Sequence, residues 1–275
     1  MNWNAYLDLY CERLAPGLWG EPLNALSNAA FWLAAWWVWR WGQRLRRQHQ
    51  PASTGSLSST GNAPAWHWEM DMLLVMLALI GAASALFHTF ATRWAVALDS
   101  AFIALYLHTF LAVYAHRVMR LRWRWAWLGA PVFLALNLIT AKLWAHALPA
   151  LGALVQSATG WDMTGGGSGP SGYLAAWTVL VLLALHSRFV LADARPVARA
   201  LMWACSVFLI SLTLRQLDLP LCSQWRWGTH FAWHVLNAVT LGLTAYALLQ
   251  ASGAAVPRGT SAPARPAAPA SPDGQ

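Results

Sequence analysis

The sequence predicts an all-α integral membrane protein, a bundle of seven transmembrane helices with its N-terminus outside and its C-terminus in the cytoplasm. Three observations support this fold class. Apolar residues make up 58% of the 275 positions and charged residues only 10%, whereas a soluble domain carries about 25% charged residues. Seven stretches have the roughly 20 mostly apolar residues that a spanning helix needs. Arginines cluster in alternate connections between those stretches.

The seven predicted spans differ in how cleanly they are delimited. Pro131 and Lys142 interrupt the fourth span, while His186 and Arg188 lie near the end of the fifth. A segment rich in Ser, Thr, Gly and Pro, 50–63, follows the first span and is typical of a flexible loop. The predicted spans are 23–41, 72–90, 94–114, 125–144, 173–191, 197–214 and 230–249.

The charge of the connections predicts the orientation. Loops with clustered Lys and Arg stay cytoplasmic, and the cationic connections here are the first, third and fifth. The N-terminus is therefore expected outside. The arginines concerned are Arg40, Arg44, Arg46 and Arg47, then Arg117, Arg120, Arg122 and Arg124, then Arg188, Arg195 and Arg199. A net charge of +8 divided in this way forms no single basic stripe, so no nucleic-acid partner is expected.

The chain divides into three predicted parts. Residues 1–22 form an outer segment without the apolar region of a cleavable signal peptide. Residues 23–250 form the transmembrane domain. Residues 251–275 are rich in Pro, Ala and Ser and are expected to form a disordered cytoplasmic tail. No internal repeat is visible, which argues against a transporter built from repeated halves.

Five polar residues lie inside the spans, near their predicted outer ends. Ser84 and His88, in SALFH, are four residues apart and share one helical face. Asp99 lies just inside the third span, after a very short outer turn. His230 and His234, in HFAWH, are also four apart at the start of the seventh span. Because polar and ionisable groups are costly in a membrane and commonly functional, their common depth indicates one site.

These residue types suit a zinc site. Three histidine ligands with one water form a usual arrangement of catalytic zinc, which lowers the pKa of the water and polarises a carbonyl group. Asp99 is the candidate that takes a proton from the water and passes it to a leaving amine. Ser84 is the candidate that donates a hydrogen bond to the tetrahedral oxyanion. The set predicts hydrolysis of an amide or ester at the membrane surface.

Each of these residues also has a structural interpretation. An isolated H-x-x-x-H pair is weak evidence for a metal, and a lone histidine at a helix end is commonly interfacial. Asp99 alone suits an arginine partner or a helix cap, and Ser84 alone suits a hydrogen bond within its own helix. The joint occurrence at one depth favours the zinc interpretation, and the six other histidines are not assigned to the metal.

Several short motifs are specific as an ordered set. They are YCERLAPGLWGEPLNALSNAAF at 10–31, SALFH at 84–88, Asp99, DLPLC at 218–222 and HFAWH at 230–234. In this order the sequence resembles the alkaline ceramidases and the wider group of seven-helix membrane hydrolases around them. The matches extend from residue 8 to residue 237, nearly the whole membrane region.

The resemblance implies an activity and a set of site residues. His88, His230 and His234 would hold zinc, with Ser84 and Asp99 as catalytic partners. The reaction implied is hydrolysis of ceramide to a sphingoid base and a fatty acid.

The resemblance also implies a pairing of the three cysteines. Cys11 and Cys222 would form a disulfide between the N-terminal segment and the last outer loop, on the side where disulfides persist. Cys205 would remain a free, buried thiol.

A calcium site is implied only weakly. Family members bind calcium through an acidic D-W-C-E-x-N block and a later Glu. Glu12 and Glu21 keep two of these carboxylates and Asp8 is one residue out of register, whereas calcium takes six to eight oxygens. The alternative is that Glu21 and Asn24 cap the first helix. Three positions of the block are changed, namely Leu9, Tyr10 and Leu14.

The sequence leaves three functions in competition. The leading one is a zinc-dependent amidohydrolase of ceramide-like lipids, and a close variant cleaves other N-acyl or ester lipids. The alternative of another class is a non-catalytic seven-helix lipid receptor with structural zinc, in which a fourth protein ligand would close the site. The expected location is a bacterial inner membrane, with the site near the periplasmic side. An endomembrane compartment is the other possibility.

Overall fold

The computed structural model describes residues 2–17, 19–48, 68–159, 171–191 and 194–253. Within these ranges the protein is all-helical, and extended pairing is limited to one isolated bridge between Tyr6 and Thr92. The predicted loop at 50–63 and the tail from 254 onward lie outside the described residues. The helices are α1 (Pro22–Ser27), α2 (Ala29–Gln48), α3 (Trp68–Phe90), α4 (Arg93–Arg117), α5 (Trp123–Ala126), α6 (Gly129–Thr159), α7 (Ser171–Phe189), α8 (Arg195–Leu217) and α9 (His230–Gly253).

Six helices of the described chain are long and apolar enough to cross a membrane, as expected of an integral membrane protein. They are α3, α4, α6, α7, α8 and α9. The first predicted span, 23–41, is instead divided at Asn28 into α1 and α2. Helix α2 has 20 residues but combines tryptophans with arginines, so it does not reach the same apolarity. A seventh span therefore stays a prediction.

The predicted end of the fourth span is wrong. A helix was expected at 125–144, but α6 continues through Thr159. Ala and Leu dominate the residues after Trp144, and these are strong helix formers. Pro131 lies in the first turn of α6, where its missing N–H is not needed. Pro149 lies inside the helix without ending it.

The long helices pack side by side in a closed ring. In order around the ring, α2, α3, α4, α6, α7, α8 and α9 each contact the next, and α9 returns to α2. Helix α9 also contacts α3 and α4, so it lies closest to the centre. The buried hydroxyl of Tyr106 on α4 donates to the carbonyl of Leu241 on α9 at 2.8 Å.

The N-terminal segment crosses the end of the bundle where α3 ends and α4 and α9 begin, which is called the site end below. The Leu7 amide donates to the carbonyl of Ala91 at 2.8 Å, and the Arg93 amide donates to that of Ala5 at 3.2 Å. These bonds hold the segment against the turn between α3 and α4.

The disulfide implied by the resemblance is present. Cys11 and Cys222 are bonded, with their Cα atoms 5.4 Å apart, and join positions separated by 211 residues. Cys205 is free as expected, but its side chain is half-buried rather than buried.

Because of the disulfide, replacing Cys222 and replacing Cys205 should have different effects on stability. Cys222→Ser should lower the free energy of unfolding in detergent by about 2–4 kcal/mol, because the bridge restricts the unfolded chain. The matched change Cys205→Ser should cost less than about 1 kcal/mol. Equal stability of Cys222→Ser and wild type under oxidising conditions would contradict this.

Candidate metal centre

Three histidines from two helices converge at the site end. His88 lies in the last turn of α3, His230 begins α9, and His234 follows one turn later. One ligand nitrogen from each ring lies within 4.8 Å of the other two. The three side chains are almost completely enclosed, with exposures of 1%, 2% and 3%. The structure therefore brings together the histidines singled out in the sequence, and the group can hold a metal ion.

Asp218 fixes the start of α9 and with it the position of His230. Its Oδ1 accepts hydrogen bonds from the amides of Thr229 at 2.7 Å and His230 at 2.9 Å, while Oδ2 accepts from the Cys11 amide at 2.9 Å. A carboxylate at this place also complements the positive end of the helix dipole. Gly228 has φ 61°, and a Cβ there would collide with the Asp218 carboxylate.

Glu21 orients His88. The Nδ1 of His88 donates to Oε2 of Glu21, which leaves Nε2 of His88 as the nitrogen with a lone pair. Burial raises the pKa of Glu21. The hydrogen bond from His88, the positive charge that His88 carries when protonated, the hydrogen bond from Asn24 and the charge of Arg13 together bring that pKa below the usual range. Glu21 is thus the ionised carboxylate that outer partners of metal-bound histidines commonly provide.

Ser27 orients His234 in the same way. The Ser27 hydroxyl donates its one proton to the carbonyl of Asn24 at 2.8 Å. Its oxygen also lies 2.8 Å from Nδ1 of His234, and a hydroxyl that already donates can only accept there. The proton of His234 is therefore on Nδ1, and Nε2 carries the lone pair.

An aromatic ring stacked on it, rather than a hydrogen-bond acceptor, holds the ring of His230 in place. The ring of Tyr10 lies 3.7 Å from it between centroids, at an interplanar angle of 21°. Its Nδ1 is buried and has no hydrogen-bond partner among the described residues. The donor set of three imidazoles fits zinc or a similar divalent ion.

The two predicted catalytic residues lie close to this group. Ser84 is buried on α3, one turn before His88. Asp99 lies in the second turn of α4, and its Oδ1 is buried without a hydrogen-bond partner in the described part of the chain. The charge of Asp99 acts on the hydroxyl of Tyr10, whose ring covers His230.

The three residues of the implied calcium site do not fit a calcium ion. Asp8 is exposed. Both oxygens of Glu12 already accept backbone hydrogen bonds, from Leu23 at 2.7 Å and Asn24 at 2.8 Å. Glu12 therefore caps α1, whereas Glu21, the predicted cap, makes no capping bond with its side chain.

The guanidinium of Arg13 contacts the other oxygen atoms that a calcium ion at this place would use. The buried side chain of Arg13 forms an ion pair with Glu21 through Nε. Its Nη2 donates to the carbonyl of His88 at 2.7 Å, and Nη1 donates to that of Ala15 at 3.2 Å. A carboxylate and two carbonyl oxygens are ligands that calcium would use, but here they surround a cation that belongs to the chain.

The outer partners of the histidines were not assigned from the sequence. Four polar residues share one side of the helix start in an apolar setting, because their spacing matches a helical turn. Glu21, Asn24 and Ser27 follow one another at intervals of three, and Asn28 lies four residues after Asn24. Asn24 and Asn28 are fully enclosed. This stripe of polar residues is the sequence signal from which the outer partners could have been predicted. Nothing in the local pattern around Arg13 indicates its partners.

Comparisons with protein-family models, with curated proteins and with solved structures gave no match to this chain. The family resemblance of the sequence motifs therefore stays a prediction.

The arrangement around Arg13 predicts insensitivity to calcium. Neither millimolar calcium nor a calcium chelator should shift the unfolding midpoint of wild-type protein. Arg13→Ala should lower stability by about 3–5 kcal/mol, since it leaves the Glu21 carboxylate buried without its cation.

Arg226→Ala is the matched control, because Arg226 is an exposed arginine at the same end of the bundle. The free energy of unfolding of Arg226→Ala should stay within about 0.5 kcal/mol of the wild-type value. A wild-type midpoint that rises by several degrees with calcium would show that these carboxylates bind the ion after all.

Proposed function

We propose that the protein is a zinc-dependent membrane amidohydrolase that cleaves the amide of ceramide-like lipids to a sphingoid base and a fatty acid. The observation that carries the proposal is the convergence of His88, His230 and His234 in a buried group. No cysteine or carboxylate of the described residues joins that group. Three protein ligands leave a fourth position for water or substrate, as in catalytic zinc sites.

When bound, zinc would lower the pKa of water and polarise the carbonyl group of the substrate. His88 and His234 keep their protons on Nδ1 through Glu21 and Ser27, so both offer Nε2 without any rearrangement. Such outer partners typically contribute about 10–100-fold to metal affinity.

Asp99 is the proposed acid and base. Its Oδ1 has no described hydrogen-bond partner, so it is available to accept the proton of the attacking water. The same carboxyl group then returns the proton to the leaving amine. Ser84, on the face of α3 that carries His88, donates to the oxyanion that develops on the carbonyl oxygen.

An apolar cavity supports a lipid substrate. It opens to the surroundings and is bounded by side chains of α2, α3, α4, α6, α7, α8 and α9. Its lining includes Phe110, Leu180 and Trp233, and Asn237 is among its few polar groups. Trp233 precedes His234 directly, so the cavity extends into the bundle from the site end. An acyl chain fits this lining, although apolar walls distinguish one chain length from another only weakly. Other N-acyl and ester lipids fit the same chemistry.

The proposed orientation in the membrane follows from the helix ends at which arginines are found. Exposed side chains such as Leu33 and Trp36 on α2 suit contact with lipid, which makes α2 the seventh span. Arginines gather where α2, α4 and α7 end, at the end of the bundle opposite the site. By the positive-inside rule the site then faces outward, near the periplasmic side if the membrane is a bacterial inner membrane.

The proposal predicts which histidines are needed for zinc binding and for turnover. Purified wild-type protein given a mixed pool of N-acyl lipids should release fatty acid and carry about one zinc per chain. His88→Ala should lose both the zinc and the turnover. His146→Ala should lose neither, because His146 is exposed on α6. Zinc content by mass spectrometry and product release by chromatography measure the two effects.

Asp99→Asn separates chemistry from metal binding. It should keep the zinc but reduce turnover by about 10²–10⁴-fold, the usual contribution of a general acid and base. Unchanged product release by His88→Ala at normal expression would refute the assignment of the hydrolysis to the histidine group.

A further inference from the structure

Arg215 is a cation at the site end that the proposed reaction does not use. It lies in the last turn of α8, and its guanidinium carbon is 4.7 Å from the ring centroid of Tyr173 and 5.6 Å from that of Trp233. The two aromatic rings meet edge to face, 5.1 Å apart. Cation–π contacts of this kind hold the guanidinium in place without neutralising its charge.

Three acidic groups at the site end have other partners, and Asp99 forms no ion pair with Arg215 within the described ranges. Glu12 caps α1, Glu21 pairs with Arg13, and Asp218 caps α9. Within the described ranges no carboxylate forms an ion pair with Arg215. Arg215 thus lacks the direct ion pair that Arg13 has.

Arg215 lies where the apolar cavity meets the histidine group. Tyr173 and Trp233, which its guanidinium covers, are both part of the cavity lining. On the other side, Trp233 directly precedes His234 on α9, one of the three histidines.

If zinc is bound as proposed, a cation beside the three histidines favours an anion as the ligand between them. A divalent metal and a guanidinium repel each other, and repulsion in an enclosed site is stronger than in water. Arginine recognises carboxylates with two parallel hydrogen bonds. The neighbouring cavity has the apolar lining that a hydrocarbon chain requires.

We propose that Arg215 binds the carboxylate of an acyl lipid whose hydrocarbon chain occupies the apolar cavity. The inference rests on the proposed function and narrows its ligand. The carboxylate has two sources: the fatty acid that amide hydrolysis releases, or an acidic head group on the substrate, as in an N-acyl amino acid.

A binding experiment tests the carboxylate site without any need for turnover. A long-chain fatty acid and the primary alcohol of equal length are compared by equilibrium binding to zinc-loaded protein in detergent. Wild type should prefer the acid by about tenfold or more, in line with hydrogen bonds to a charged group. Arg215→Gln should lose that preference while binding the alcohol as wild type does, and Arg215→Lys should retain part of it. Arg226→Gln, a change at an exposed arginine, should behave as wild type.

Kinetics distinguish the two sources. If the head group supplies the carboxylate, Arg215→Gln should raise KM about tenfold for an N-acylglycine but not for an N-acylethanolamine. If the product supplies it, Arg215→Gln should instead weaken inhibition by the fatty acid, with both KM values unchanged.

Two results would overturn the proposal. One is an acid preference that persists in Arg215→Gln, which would assign the carboxylate to the metal. The other is a parallel loss of acid and alcohol binding in Arg215→Gln and Arg215→Lys, which would make the residue structural. A protein that hydrolyses none of the lipids but binds the acid through Arg215 would refute the proposed function and leave this site standing.

Discussion

The carboxylate of Glu21 connects the N-terminal segment to the histidine group, and the structure of the site end depends on it. One oxygen pairs with Arg13, and the other accepts from His88 and Asn24. A buried charge of this kind is stable only when its partners are complete. Arg13, the start of α1 and the ring of His88 are thus held by one group. In this structure Glu21 acts as the hydrogen-bond partner of His88.

The same end of the bundle combines features that a membrane hydrolase of lipids needs. The three imidazoles lie at the site end, and the Oδ1 of Asp99 has no hydrogen-bond partner among the described residues. The lining of the apolar cavity includes Trp233, the neighbour of His234. The cavity lining is mostly apolar, with Asn237, Thr240 and Thr244 among its polar members, and therefore suits a hydrocarbon chain. Arg215 adds a positive charge at the boundary between the two regions. The arrangement favours an amphiphilic ligand over a wholly apolar one.

Sequence periodicity predicted those parts of the molecule that depend on local rules. Apolar length gave the long helices, and the spacing of His230 and His234 placed both rings on one face of α9. The family resemblance gave the disulfide. Local rules could not give the partners of Arg13, because the N-terminal segment has no helical period and its contacts lie as far away as the carbonyl of His88. The extension of α6 was missed because Ala and Leu suit both a helix and a membrane-facing connection.

The central claim is that three histidines hold one zinc ion and leave a position open. Zinc-edge X-ray absorption of the detergent-purified protein tests it most directly. The account predicts a four-coordinate zinc with three imidazole nitrogens at about 2.0 Å and one further light atom, with no sulfur. A sulfur ligand at about 2.3 Å, a fourth imidazole, or protein that binds no zinc when the ion is supplied would contradict it.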